Sequence, residues 1–229
     1  MINLIAALIA FIGTHFLMSH PLRAPIVKAL GTQAFQIVYS LVSLATFAWV
    51  YFAFVAAPRG PDLWAVGEAL WAVASVIMLA ASILFTGSFA GNPALPRPDA
   101  AALTSAPARG VFGITRHPMM WSFALWALAH GLVAPYAASL HLVGGMAILA
   151  LGGSWGQDYK KAALMGDSWR DWASRTSFVP FGSQLSGREG WANAWPGTTI
   201  VLGGTALWLI ASWLHPLQGA PVVGIWRWL

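Results

Sequence analysis

The sequence predicts an all-α integral membrane protein, a bundle of about six transmembrane helices with an interfacial amphipathic segment before the last span. Three observations predict it. Hydrophobic residues make up 58% of the 229 residues and charged residues only 8%, with a mean hydropathy of +0.67. A water-facing surface carries roughly 25–35% charged residues, so most of this surface must meet lipid. Apolar runs near the roughly 20 residues of a membrane span recur along the chain, and the basic residues cluster between them. A soluble enzyme, a disordered tail and a nucleic-acid-binding domain are excluded. The net charge of +5 and the pI near 10.1 belong to loops flanking a membrane. There is no cysteine, which excludes disulfides, Fe–S clusters, Cys-ligated zinc and thiol nucleophiles.

Six runs qualify as spans, at residues 2–19, 34–57, 63–85, 118–133, 136–155 and 198–214. The first is interrupted by Thr14 and His15. It lacks a basic leader region and a small-residue cleavage site, so it is expected to be a retained helix. The second is unbroken, and the third carries Glu68. The fourth and fifth are separated by a short break at Pro135 and should form an antiparallel hairpin. The segment 86–116, rich in Pro, Gly and Ala, reads as an ordered, irregular loop. The segment 156–197 differs. Asp158-Tyr159-Lys160-Lys161 and Trp169-Arg170-Asp171-Trp172 read as an amphipathic interfacial helix pair with aromatics at headgroup level. The whole chain, 1–229, reads as one transmembrane domain.

The loops predict orientation. Arg23 and Lys28 lie between spans one and two. Arg97, Arg109 and Arg116 lie between three and four, and Lys160, Lys161, Arg170, Arg175 and Arg188 between five and six. Only Arg59 and Arg227 lie on the other side. The positive-inside rule then puts the odd loops in the cytoplasm and both termini outside, in a bacterial inner membrane. Oligomeric state is not legible.

Ionisable groups inside a membrane are costly and point to function. His15, His130 and His141 fall within spans, while His20, His117 and His215 fall at span edges beside prolines. Neutral imidazole is the commonest transition-metal ligand and also ligates haem iron. Two from different helices would make a bis-histidine haem site; the bland alternative is a histidine bonded to a neighbouring carbonyl. With no CxxCH, any haem would be b-type. At 1.5 Å per residue, His15 lies about 20 Å below the outer edge and His130 and His141 roughly 6 Å, so depth favours His130 with His141. Arg116 and His117 open the fourth span before Pro118. Proline is favoured there, and Arg116 could anchor to headgroups or bind a carboxylate, a haem propionate or a cofactor phosphate.

Residues 113–121 (Gly-Ile-Thr-Arg-His-Pro-Met-Met-Trp), 125–131 (Leu-Trp-Ala-Leu-Ala-His-Gly), 14–23 and 166–181 together resemble the NnrU family of bacterial membrane proteins, over about residues 1–215. That family includes the 15-cis-ζ-carotene isomerase of plants and cyanobacteria. The resemblance implies a haem b whose iron is held by His130 and His15, with His20 as an alternate; depth keeps His141 as the other. The resemblance also implies cofactor contacts from Arg116, His117 and Arg23. The partners implied are the lipid bilayer and an apolar molecule such as a polyene, isomerised cis-trans at the ferrous haem. The family's name associates it with nitrite and nitric oxide metabolism, in which nitric oxide would be the ligand. The isomerase has a cysteine three residues before its second histidine; here that position is Ala127.

Two other readings stand beside this one. Arg116-His117-Pro118 with Gly166, Trp169, Trp172 and Pro180 also resembles membrane methyltransferases of the isoprenylcysteine and phospholipid type. Their paired acid would fall on Gln157-Asp158, and their tyrosine on Met120. A haem-free structural or interaction protein is the third reading. Gly144-Gly145, Gly152-Gly153 and Gly203-Gly204 would pack such a bundle closely without any cofactor.

Overall fold

The computed structural model describes residues 1–95 and 99–229. Arg97, assigned above to the third loop, lies outside the described residues. The helices in order are α1 (Ile2–Ser19), α2 (Arg23–Leu30), α3 (Thr32–Val55), α4 (Glu68–Gly87), α5 (Ala100–Leu103) and α6 (Val111–Ile114). There follow α7 (Pro118–Val133), α8 (Ala137–Met165), α9 (Asp167–Arg175), α10 (Gly182–Leu185) and α11 (Thr198–Leu214). Five spans are long and apolar enough to cross a membrane, namely α1, α3, α4, α8, and α11 taken together with the turn that continues it to Gln218; α7 is apolar but shorter. The molecule is an all-α membrane bundle.

The bundle packs as two groups joined through α7 and α8. On one side α1 lies against α3 and α8; on the other α4 lies against α7 and α11. Leu4, Ala7, Leu8 and Phe11 of α1 meet Val50, Ala53 and Ala138 in one core. Ile37, Leu41, Leu44 and Phe52 face outward from α3, as helices surrounded by lipid require. Small residues allow the closest approaches. A side chain at Gly204 would come within 2.6 Å of the Ile83 backbone, so α11 and α4 touch along their main chains.

Two boundaries differ most from the sequence expectation. The third span begins at Glu68, not near residue 63. Residues before it are tied instead to the α7–α8 turn, where the Leu63 N–H donates to the Pro135 carbonyl at 2.8 Å and Asp62 bridges Tyr136. A carboxylate in the first turn of α4 also suits the helix dipole. The fifth span runs on to Met165 and stops only at Gly166, with φ of 60°. Asp158, Lys160 and Lys161 are therefore its last turns and not a separate interfacial helix. The amphipathic segment is α9, and its tryptophans face the protein interior rather than lipid headgroups. Trp169 and Trp172 are buried against Leu84, Phe112 and Ile114, because the 86–116 loop, through α6, folds over them.

Candidate functional site

A cavity of about 490 Å³ opens between α4, α7 and α11, closed at one end by the segment after α11. Its walls are mainly apolar, with Trp71, Met78, Trp126 and Trp208 among them. Two histidines line it, His130 from α7 and His215 from the end of α11, with ring centroids 6.3 Å apart. The His130 Nδ1–H donates to the Trp126 carbonyl at 2.9 Å. The His215 Nδ1–H donates to the Pro221 carbonyl at 2.9 Å. A carbonyl only accepts, so in both rings Nδ1 carries a proton, and in the neutral form Nε2 keeps its lone pair. Such a bond orients the ring in metal-ligating histidines, but His15 and His141 make the same bond to the carbonyl four residues back, so it does not by itself mark a ligand.

A second cluster lies at the opposite end of α7. The Arg116 guanidinium lies side-on against Asp158 of α8, Nε donating at 2.9 Å and Nη2 at 2.5 Å to Oδ2. The His117 Nε2–H donates to Asp158 Oδ1 at 2.8 Å. The segment 176–178 clamps this group from outside. The Arg116 N–H donates to the Ser177 carbonyl, and Thr115 Oγ1 and Trp121 Nε1 both donate to the Phe178 carbonyl. The His117 side chain is fully buried, and its Nδ1 has no partner among the described residues. The carboxylate expected for Arg116 is thus the chain's own. Neither Arg116 nor His117 lines either of the two cavities described.

The remaining candidates lie elsewhere. His15 stands between α1 and α3, its Nδ1–H on the Phe11 carbonyl at 2.7 Å and its ring 5.5 Å from that of Tyr39. It does not line the cavity that holds His130. His141 is exposed, bonded through Nδ1 to the Ala137 carbonyl. His20 follows α1 and packs against Gly156 of α8. Burial first, then the charge of Lys160, holds the His20 imidazole below its ordinary value. Arg23 lines a second cavity with Lys160 and Lys161. Ala127 is buried and faces packing rather than the His130 cavity. Sequence reasoning did not place His215 at the site, although it had marked it as a span-edge histidine beside Pro216. No pattern along the chain links it to His130.

The fold is that of an all-helical membrane protein, with two histidines lining one mainly apolar cavity. The NnrU family, described as NnrU protein, matches residues 3–222, and the chain belongs to that family. It is also similar to the chloroplastic 15-cis-zeta-carotene isomerase of Arabidopsis thaliana, 32% identical over 115 residues, 48% of this chain and 31% of the relative. The Zea mays enzyme of the same name is 31% identical over 80 residues, 35% of this chain and 22% of the relative. The matched stretches thus span a third or less of the curated relatives. No solved structure matches.

Proposed function

We propose that this chain is an isomerase-type NnrU protein that takes an apolar polyene from the bilayer and holds haem b in the α4–α7–α11 cavity through His130. The observation that carries the reading is the His130 ring, oriented by the Trp126 carbonyl and lining a mainly apolar cavity. The residues fit the group. Two imidazoles with free Nε2 atoms face one cavity, whose volume of about 490 Å³ falls within the roughly 300–1,000 Å³ of ordinary cofactor and ligand sites. His215 is the second histidine that this geometry favours, where the resemblance implies His15.

When bound, a b-type haem supplies a redox-active iron that can interact with an electron-rich double bond. The chain does the rest. Trp126, Trp208 and Met78 offer an apolar wall for a polyene and exclude water. The Trp126 and Pro221 carbonyls keep the His130 and His215 tautomers fixed. With Ala127 in place of a cysteine, no thiol takes part.

The test is an absorption spectrum of detergent-purified protein from haem-supplied cells, oxidised and then reduced with dithionite. A Soret band with sharp reduced bands is expected. It should be lost in His130→Ala and weakened or shifted in His215→Ala, and it should persist in His15→Ala. A colourless protein would overturn the reading, and loss in His15→Ala with no effect of His215→Ala would move the second ligand to α1. Altered carotenoid isomer ratios on expression in a carotenoid-making host would then identify the substrate class.

A further inference from the structure

The second cavity, of about 630 Å³, lies between the end of α1, α2, α3 and the last turns of α8. The proposed haem chemistry does not use it. Arg23, Lys160 and Lys161 line it, and no described lining residue is acidic. We propose that this cavity binds a phosphate group, of the kind carried by the headgroup of an anionic membrane lipid.

The argument starts from charge. Lys161 is only 8% exposed, and its Nζ donates to the carbonyls of Pro93 at 2.9 Å and Leu95 at 3.2 Å. Those bonds use two of its three N–H groups and neutralise none of its charge. Neither Arg23 nor Lys160 has an ion-pair partner among the described residues. The Arg23 guanidinium carbon lies over the Phe35 ring, 5.7 Å from the centroid, a cation–π contact that consumes no N–H donor. Gathering three cations in one partly buried site without a counter-charge is costly. The contrast with Arg116 is direct, since that guanidinium is matched by Asp158. An external anion resolves the imbalance, and Gln36 and Ser40 on the α3 wall add neutral donors.

Shape and position select the source. A bare phosphate would occupy a small part of about 630 Å³, whereas Phe35 and Leu164 give the same cavity apolar edges that suit a glycerol and the start of an acyl chain. Basic pockets between membrane helices are general binding places for anionic headgroups. This inference does not rest on the haem reading, because it involves neither His130 nor its cavity.

The test uses the whole protein in neutral detergent, with unfolding followed by tryptophan fluorescence. Short-chain phosphatidylglycerol, phosphatidylcholine of the same chain length, inorganic phosphate and sodium chloride of matched ionic strength are the probes. Phosphatidylglycerol should raise the unfolding midpoint saturably, with little effect from phosphatidylcholine or chloride. Lys160→Gln and, separately, Arg23→Gln should weaken that response about five-fold each, the effect of about 1 kcal/mol per charge, and Lys160→Arg should keep it. Saturable stabilisation by inorganic phosphate alone, lost in the same variants, would also support the phosphate site and make the source a free phosphate. Equal responses to both lipids with none to phosphate, or unchanged responses in both variants, would overturn the proposal.

Discussion

Arg116 and Asp158, 42 positions apart in the chain, meet through a side-on pair of guanidinium N–H groups on one carboxylate, with both side chains less than a fifth exposed. That contact joins the start of α7 to the last turns of α8. His117 adds a third bond to the same carboxylate.

Asp158→Ala should therefore be far more damaging than an average substitution. It strands a buried guanidinium and the His117 Nε2–H together, at a cost of about 3–5 kcal/mol. Thermal unfolding in detergent should show it, with Arg116→Lys intermediate because an ammonium cannot reproduce the two-point contact. Near wild-type stability of Asp158→Ala would mean that the cluster is not holding these helices together.

Adjacent glycines in α11 should respond oppositely. Gly204→Ala forces a Cβ to 2.6 Å from the Ile83 Cα, a backbone atom that cannot step aside, whereas Gly203→Ala meets only the Thr86 Cγ2 at 3.3 Å. The first should cost about 1–3 kcal/mol of overpacking. The second should cost little, and helix propensity favours it. Comparable unfolding midpoints for the two variants would refute the close α4–α11 contact.

Acidification should destabilise the protein through His20. Its folded-state pKa lies below the ordinary 6.5, through burial and then Lys160. The unfolded chain then binds more protons than the folded one. Stability contributed by the neutral ring is present above pH 6.5 and is lost as the pH falls from there through the folded-state value. The pH slope of the unfolding midpoint should become shallower in His20→Gln.

Filling the histidine cavity should separate binding from folding. Ala211→Phe places a ring into the space lined by His130 and His215. On the function proposed above, haem content and polyene retention should fall, while the unfolding midpoint moves by less than in Asp158→Ala. Undiminished haem retention would place the cofactor outside this cavity.

The sequence carried the fold further than the site. The spans at 2–19, 118–133 and 198–214 match α1, α7 and α11 to the residue, because apolar runs end where Thr, Pro or charge begins. The end of α8 was missed since charge starts at Asp158 while the helix continues to Gly166. Hydropathy marks the edge of the oil, and backbone geometry marks the edge of the helix. Arg116 and His117 were legible from their motif, but that both would converge on Asp158 was not. His130 and His215 come together only because α7 and α11 both flank α4, a relation between distant segments that no local pattern encodes.

The length of α7 has a mechanical meaning. Its 16 residues rise about 24 Å at 1.5 Å each, some 6 Å less than the roughly 30 Å hydrocarbon layer. Such hydrophobic mismatch is relieved by thinning the bilayer or by recessing the ends of the helix into protein. Here one end is the Arg116–Asp158 clamp and the other the turn at Pro135. Only Phe123 and Leu128 of α7 are exposed, so α4 and α8 shelter the helix and its short length is taken up by protein rather than by the bilayer.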